Sequence, residues 1–295
     1  MKTYKPCIPC FFRQAANASQ LLGISCEHVQ EMQESLQRCI DDHKMDEQSP
    51  PEMAVSMQKL FVKYSQNTDP YASIKAESNR MALEVLDDLR SLVSESTDQL
   101  KKAVELACAG NIIDYGVSSL GLDVRKEIES ILQKEEQTIS DERFQLTAFE
   151  EALKQAQTVL YVGDNAGEIV FDRVLLETIK HLYPHLSLSF ATRGTPILND
   201  VLLEDAHVCG IEEVATVISS GVSTPGLVLS QASKEFLSLY PTYDLIISKG
   251  QGNYEALSDS KGPIFFLFIA KCGVITEHVG CRMHELILLR NKQYK

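Results

Sequence analysis

The sequence predicts an α/β protein, with an all-helical N-terminal domain over residues 1–156 and a Rossmann-like, doubly wound, mainly parallel sheet domain over residues 157–295. Two observations carry this. Up to about residue 156 apolar residues recur at steps of three and four, the period of a helix with one buried face. Beyond it, short β-branched and aromatic runs alternate with helical stretches, the pattern of strands joined by crossover helices. A length of 295 residues also exceeds what one hydrophobic core usually serves.

In the first half the clearest helix is 72–95, where Ile74, Met81, Leu83, Val85, Leu86, Leu89, Leu92 and Val93 form the apolar stripe and Asp69-Pro70 is the start signal. Helices are also expected over 11–22, 26–41, 51–65, 98–109, 123–134 and 146–156, broken by Gly23, Ser49-Pro50-Pro51, Ala109-Gly110-Asn111 and Gly121. In the second half the expected strands are 158–162, 186–191, 214–219, 243–248 and 263–269, with 168–183 as the first crossover helix. A doubly wound sheet binds its ligands at the carboxyl ends of its strands. The residues that follow each run are therefore where chemistry is sought.

Composition narrows the partners. Twenty-eight Lys and Arg against 41 Asp and Glu give a net charge of -13, which disfavours a nucleic-acid backbone or an anionic membrane as partner. Small substrates and cations stay open. Mean hydropathy is -0.10, no window reaches the ~20 apolar residues of a membrane span, and the N-terminal apolar run breaks at Arg13. Neither a span nor a signal peptide is expected, and the expected location is cytoplasmic. The eight cysteines are scattered and expected to be reduced. Only Cys7-Ile8-Pro9-Cys10 has a spacing that can carry chemistry; it is half of a zinc site and lacks the preceding strand of a redox motif, so packing away from the strand ends is expected. The seven histidines fall in no catalytic motif.

Three clusters follow three expected strands. Gly163-Asp164-Asn165-Ala166-Gly167-Glu168 comes directly after the first, placing two oxygen-bearing side chains where the strand opens into a helix. Arg193-Gly194 and Asn199-Asp200 follow the second, and a carboxylate there can meet Asp164 across the sheet. Helix caps account for either cluster alone, with Glu168 three residues after Asn165 and with Asn199 or Asp200 before a helix over 201–207. Together the side chains are also the oxygen set of a hard divalent cation. The third cluster, Lys249-Gly250-Gln251-Gly252-Asn253-Tyr254-Glu255, sets a lysine beside a Gly-x-Gly turn, a pattern suited to phosphate.

The segments GDNAGEIVFD (163–172), RGTPILNDVLLEDA (193–206) and SKGQGNYE (248–255) do not stand alone. With CIPCFFRQA (7–15), DPYASIKAESN (69–79) and AGNIIDYG (109–116), they resemble the domain-of-unknown-function-89 family of metal-dependent damage-control phosphatases, in its microbial branch with the N-terminal Cys-x-x-Cys. The resemblance implies a divalent metal, Mg, Mn, Co or Ni, held by Asp164, Asn165 and Asp200. It implies a phosphate held by Lys249 and the backbone of Gly250, Gly252 and Asn253, with Asn111 and Asp114 reaching in from the helical side and Arg193 and Glu255 as further substrate contacts. Lys75 and Asn79 match the family segment too, although a lysine on an amphipathic helix is by default solvated.

The expected function is hydrolysis of small phosphomonoesters, sugar phosphates or damaged phosphometabolites. Such a reaction needs charge neutralisation on the phosphoryl oxygens and a positioned nucleophile, either a water activated by the cation or the Asp164 carboxylate by way of an aspartyl-phosphate. An S-adenosylmethionine-dependent carboxyl methyltransferase is the rival enzyme. It calls for an acidic residue at the end of the second strand, where this chain has Ala191-Thr192-Arg193. A non-catalytic module binding metal or metabolite would keep the pocket without turnover.

Overall fold

The structure, a computed structural model, describes residues 1–42, 48–110, 140 and 142–292; the helix expected over 123–134 lies outside them. The N-terminal helices are α1 (Cys7–Leu21), α2 (Cys26–Asp42), α3 (Pro50–Ser65), α4 (Ala72–Glu84), α5 (Leu86–Ser94), α6 (Gln99–Ala109) and α7 (Leu146–Gln155). Local chemistry sets their starts. The Ser49 backbone N–H donates to Glu52 at 2.8 Å with prolines in the first turn of α3, and Asp98 caps α6 by accepting from Lys101 N–H at 2.9 Å. The stretch read as one helix over 72–95 is two, because Val85 leaves helical geometry at φ -106°, ψ 5°. Its β-branched side chain is buried at the joint, where packing decides over periodicity.

The strands β1 (Thr158–Val162), β2 (Ser187–Thr192), β3 (Thr216–Ser219), β4 (Leu245–Lys249), β5 (Ile264–Ile269) and β6 (Leu286–Arg290) form one sheet in the order β3-β2-β1-β4-β5-β6. All neighbouring pairs are parallel except β5 with β6. The antiparallel edge strand β6 is not among the expected runs. Between the strands lie α8 (Glu168–Leu182), α9 (Leu203–Val208), α10 (Lys234–Leu239), α11 (Gln251–Leu257) and α12 (Gly273–Val279). The chain order reverses at β1, which has β2 on one side and β4 on the other. That reversal opens a crevice at the carboxyl ends of β1 and β4.

Strand alternation divides the core. Val159, Tyr161, Leu245 and Ile247 face α6 and α8, in a core that also takes in Ala82, Leu89, Phe149 and Leu153 from the N-terminal helices. Leu160, Val162, Ile246 and Phe266 face the other way, toward Phe236, Tyr254 and Ile275. A third core, with Phe11, Met32, Leu36, Met57 and Phe61, joins α1, α2 and α3. The helices before the sheet thus do not share one core: residues of α4 to α7 join the core on one face of the sheet, with α4 and α5 packed on α8, while α1 to α3 form their own, with α3 packed on α11.

Candidate active site

The crevice at the switch point gathers the first two predicted clusters. Asn165 and Asp200 lie opposite one another in an isolated antiparallel bridge, and Val201 N–H donates to the Asp164 carbonyl at 2.9 Å. Neither residue pair acts as the helix cap that could have explained it. Gly167 precedes α8 and Leu202 precedes α9, while Asn165 Nδ2 donates to Glu168 Oε1 at 2.8 Å and to Asp164 Oδ2 at 3.2 Å. With its nitrogen turned to the two carboxylates, the Asn165 amide presents Oδ1 away from them, the atom that a hard cation would take.

Arg193, buried at the end of β2, binds the cluster together. Its Nε donates to Asp200 Oδ2 at 2.6 Å, and one terminal nitrogen lies 3.2 Å from Asn253 Oδ1 and 3.6 Å from Asp164 Oδ1. Its other terminal nitrogen, buried, has no hydrogen-bond partner among the described residues. A buried guanidinium N–H without an acceptor is costly, which marks a place for an anionic oxygen.

Lys249 lies elsewhere than at an open strand tip. It shares the β4 face of Leu245 and Ile247, so its side chain runs beneath α8, with Nζ 2.5 Å from Glu168 Oε2 and 3.3 Å from Asp172 Oδ1. Asp172 also accepts from the Tyr161 hydroxyl at 2.6 Å. Glu168 and Asp172, four residues apart on one face of α8, are functional candidates that the sequence reading passed over. Their signal was two acids in register on a helix face that is otherwise apolar.

Charge in the crevice is unbalanced. Among the described residues, the buried carboxylates Asp164, Glu168, Asp172 and Asp200 are matched by two buried cations, Arg193 and Lys249. Burial, then repulsion from Glu168 and Asp200, drives the Asp164 carboxyl well above the usual range. Burial lifts Asp200 and Asp172 to about 6, against the pull of Arg193 and Lys249 respectively. Burial presses Lys249 toward neutrality, but Asp172 and Glu168 outweigh it and hold its pKa above the ordinary lysine range. Among the described residues no three His, Cys, Asp or Glu side chains close around one point. The donor set here is two carboxylates and an amide, and an excess of buried negative charge fits a divalent cation.

The Gly-x-Gly turn works through its backbone shape. Gly250 sits at φ 87°, ψ 157°, and a Cβ there would lie 1.9 Å from Asp164 Oδ2. Its own N–H donates to Leu267 at 2.9 Å, so its contribution is close approach. Gly250→Ala is expected to cost ~1–3 kcal/mol in backbone strain and to push Asp164 aside. A melting curve would show the loss, and a Tm equal to wild type would mean that the turn accommodates the added methyl group without moving Asp164. Gly252 packs against Pro225, whose carbonyl would be 2.3 Å from an added Cβ. Asn253, fully buried, donates to the carbonyls of Lys249 at 2.6 Å and Gly163 at 3.1 Å and accepts from Leu227 N–H. It ties the strand ends together.

Glu255 turns to Gln251, which donates to it at 2.9 Å and lies 3.7 Å from Cys272 Sγ. Burial raises its carboxyl to about 7. Cys7 and Cys10 stand near Cys272, with Glu255 beside them, and burial first, then these neighbours, raises the Cys7 thiol. The pair therefore sits by the turn after β5 and not away from the strand ends as expected. Lys75 is 2% exposed, 2.9 Å from Asp69 and 3.6 Å from Asp205, which corrects its reading as a solvated lysine. Asn111 and Asp114 lie outside the described residues.

Comparisons with known proteins place the chain in a family. Residues 3–287 match the model of the damage-control phosphatase ARMT1-like domain. An uncharacterised protein of Methanocaldococcus jannaschii is 34% identical over 98% of this chain and 96% of its own. A damage-control phosphatase of Pyrococcus horikoshii is 35% identical over 84% of each chain, and one of Archaeoglobus fulgidus 34% identical over 74% of this chain and 75% of its own. The crystal structure of a DUF89 family protein from P. horikoshii superposes with a TM-score of 0.85 at 28% identity, over 99% of this chain and 100% of that one. With a family model spanning nearly the whole length and relatives of this similarity, the chain belongs to the damage-control phosphatase ARMT1-like domain family.

Proposed function

We propose that this protein is a metal-dependent phosphatase acting on small phosphomonoesters, with the cation held by Asp164, Asn165 and Asp200. One observation carries the reading: at the switch point of the sheet two carboxylates and an amide converge with a buried arginine that, among the described residues, has an unpaired N–H, in a crevice whose described residues are short of positive charge. The names of the P. horikoshii and A. fulgidus relatives support it. When bound, a divalent cation would polarise the phosphoryl oxygens and favour a nucleophile at neutral pH.

The chain's own residues supply the rest. Arg193 donates its unpaired N–H to a phosphoryl oxygen while its Nε keeps Asp200 in place. Lys249, protonated between Glu168 and Asp172, adds positive potential at the floor of the crevice, where negative charge spreads over the phosphoryl oxygens in the transition state. Glu168 orients the Asn165 amide. No helix among the described residues is long and apolar enough to cross a membrane, and the proposed partner is a phosphorylated small molecule in the cytoplasm.

A panel of Mg²⁺, Mn²⁺, Co²⁺ and Ni²⁺ against sugar phosphates and other phosphomonoesters, on protein first stripped by chelator, tests the proposal. Phosphate release restored by a cation is expected. Full activity without metal, or methyl transfer from S-adenosylmethionine with no phosphate release, would replace the reading.

The raised carboxyls add a pH signature. In cation-free protein Asp164 and Asp200 hold protons at pH values where the unfolded chain has lost them, so stability falls as pH rises from the ordinary carboxylate range through about 6. A cation relieves that penalty and competes with the same protons. The rise in Tm on adding Mn²⁺ should therefore be several degrees near pH 8 and close to zero at about pH 5. Melting curves with and without Mn²⁺ decide it; equal rises at both pH values would remove these carboxylates from the cation site.

A further inference from the structure

The two loops that carry the candidate metal ligands are both gripped from the helical side. Asn79, on α4, is 2% exposed and uses both ends of its amide: Oδ1 accepts from Gly167 N–H at 2.7 Å, and Nδ2 donates to Asp205 Oδ1 at 2.9 Å. Gly167 lies between Asn165 and Glu168, at φ 79°, and a Cβ there would come within 3.2 Å of Ser78, so α4 is seated directly on that loop. Asp205 stands five residues after Asp200, and its other oxygen accepts from Leu202 N–H at 2.8 Å and faces Lys75. A single buried amide thus fixes the backbone on either side of the crevice.

A second helix also reaches one of these loops. Gln58 on α3, 6% exposed, accepts through Oε1 from Leu198 N–H at 3.1 Å. Leu198 has φ 45°, a left-handed geometry that a leucine adopts at a cost, and it lies two residues before Asp200. The strained turn that presents Asp200 is held by a side chain from outside the sheet.

We infer that Asn79 is a positioning residue for the metal site, which sets the spacing between the Asp164-Asn165 loop and Asp200, with Gln58 supporting the second loop. The inference rests on the proposed metal reading. Outer partners of metal ligands set ligand geometry, and their loss typically weakens metal affinity about 10- to 100-fold. The carboxamide is specific: Asn79→Asp keeps an acceptor for Gly167 N–H but places a carboxylate against Asp205. Asn79→Asp with Asp205→Asn reverses the pair and restores an N–H···O bond between the two positions.

The test measures Mn²⁺ affinity by titration with the free ion detected by electron paramagnetic resonance, well below Tm and without substrate. Wild type, Asn79→Ala, Asn79→Asp and the exchanged double variant are compared, with kcat and KM on one phosphomonoester. About 10- to 100-fold weaker Mn²⁺ binding is expected in both single variants, with recovery to within a fewfold of wild type in the exchanged pair. KM should change less than kcat, which reads the placement of the reacting groups. Mn²⁺ affinity within twofold of wild type in folded Asn79→Ala would overturn the inference, as would an exchanged pair bound no better than Asn79→Asp. If Asn79→Ala does not fold, Asn79→Asp and the exchanged pair decide in the same way. Wild-type protein that takes up no Mn²⁺ would instead overturn the metal reading itself.

Discussion

Asp164→Asn is expected to reduce phosphate release at least roughly a thousandfold, about 4 kcal/mol of transition-state stabilisation, while making the cation-free protein more stable. The two effects have one origin. Asp164 is buried among Glu168 and Asp200, whose charges, together with burial, hold its carboxyl well above its ordinary range. Ionised without a cation, it costs folding free energy; the amide keeps the shape and removes the charge. The contact from Asn165 Nδ2 has an oxygen to return to, and the terminal nitrogen of Arg193 remains near Asn253. What disappears is the carboxylate that a cation, or a phosphorus atom, would require. Turnover, Mn²⁺ titration and a cation-free melting curve near pH 8 should therefore move in different directions, with Tm rising as affinity and rate fall. A variant that keeps more than about a tenth of the activity would remove Asp164 from the chemistry. A fall in Tm would show that the carboxylate stabilises the fold, and would undo the charge-excess argument for a cation site.

The sheet was legible in the sequence because its central strands β1, β4 and β5 are buried on both faces. Runs such as 158–162 and 263–269 read as continuous apolar stretches, and all five expected strands are found with their ends within two residues, β3 and β4 each starting two residues later than expected. The first two site clusters were legible because a doubly wound fold brings the ends of successive strands together whatever lies between them. Face and partner were not legible. Lys249 is one residue from a glycine turn, and only strand parity decides whether it points into the crevice or beneath α8; β4 ends on Lys249 itself, which puts it with Leu245 and Ile247. Glu168 lies 81 residues away from it, a separation across which local pattern says nothing. Gln58 was hidden for the same reason, and Asn79 stood out only through the family segment 69–79; each lies on an ordinary amphipathic helix and gains its meaning from a backbone N–H that arrives from another layer. The break at Val85 escaped because the apolar stripe continues through it.

That geometry changes what Lys249→Met should do. As a lone phosphate contact, the lysine would be replaceable at the cost of one charge-assisted hydrogen bond, roughly 1.5–3 kcal/mol of transition-state stabilisation. Here its ammonium is the buried cation that meets Glu168 at 2.5 Å and Asp172 at 3.3 Å, and removing it leaves two carboxylates at the bottom of the core. Breaking a buried ion pair from one side typically costs about 3–5 kcal/mol. The expected result is therefore a large loss of stability near neutral pH, partly recovered on acidification as Asp172 takes up a proton. Asp172, at about 6 with the lysine beside it, should titrate higher once that cation is gone. Activity should fall beyond the tenfold to hundredfold expected of the charge alone, because Glu168 also orients the Asn165 amide. Adding Glu168→Gln to Lys249→Met separates the two roles. The double variant should regain part of the lost Tm, since Asp172 alone is then left without its cation, but not the rate, since the positive potential under the phosphate is still missing. Melting curves across pH and steady-state kinetics on one phosphomonoester would read both. If Lys249→Met melts with wild type and only KM rises, the lysine is a plain phosphate contact; if the double variant recovers full turnover, its charge has no part in the reaction.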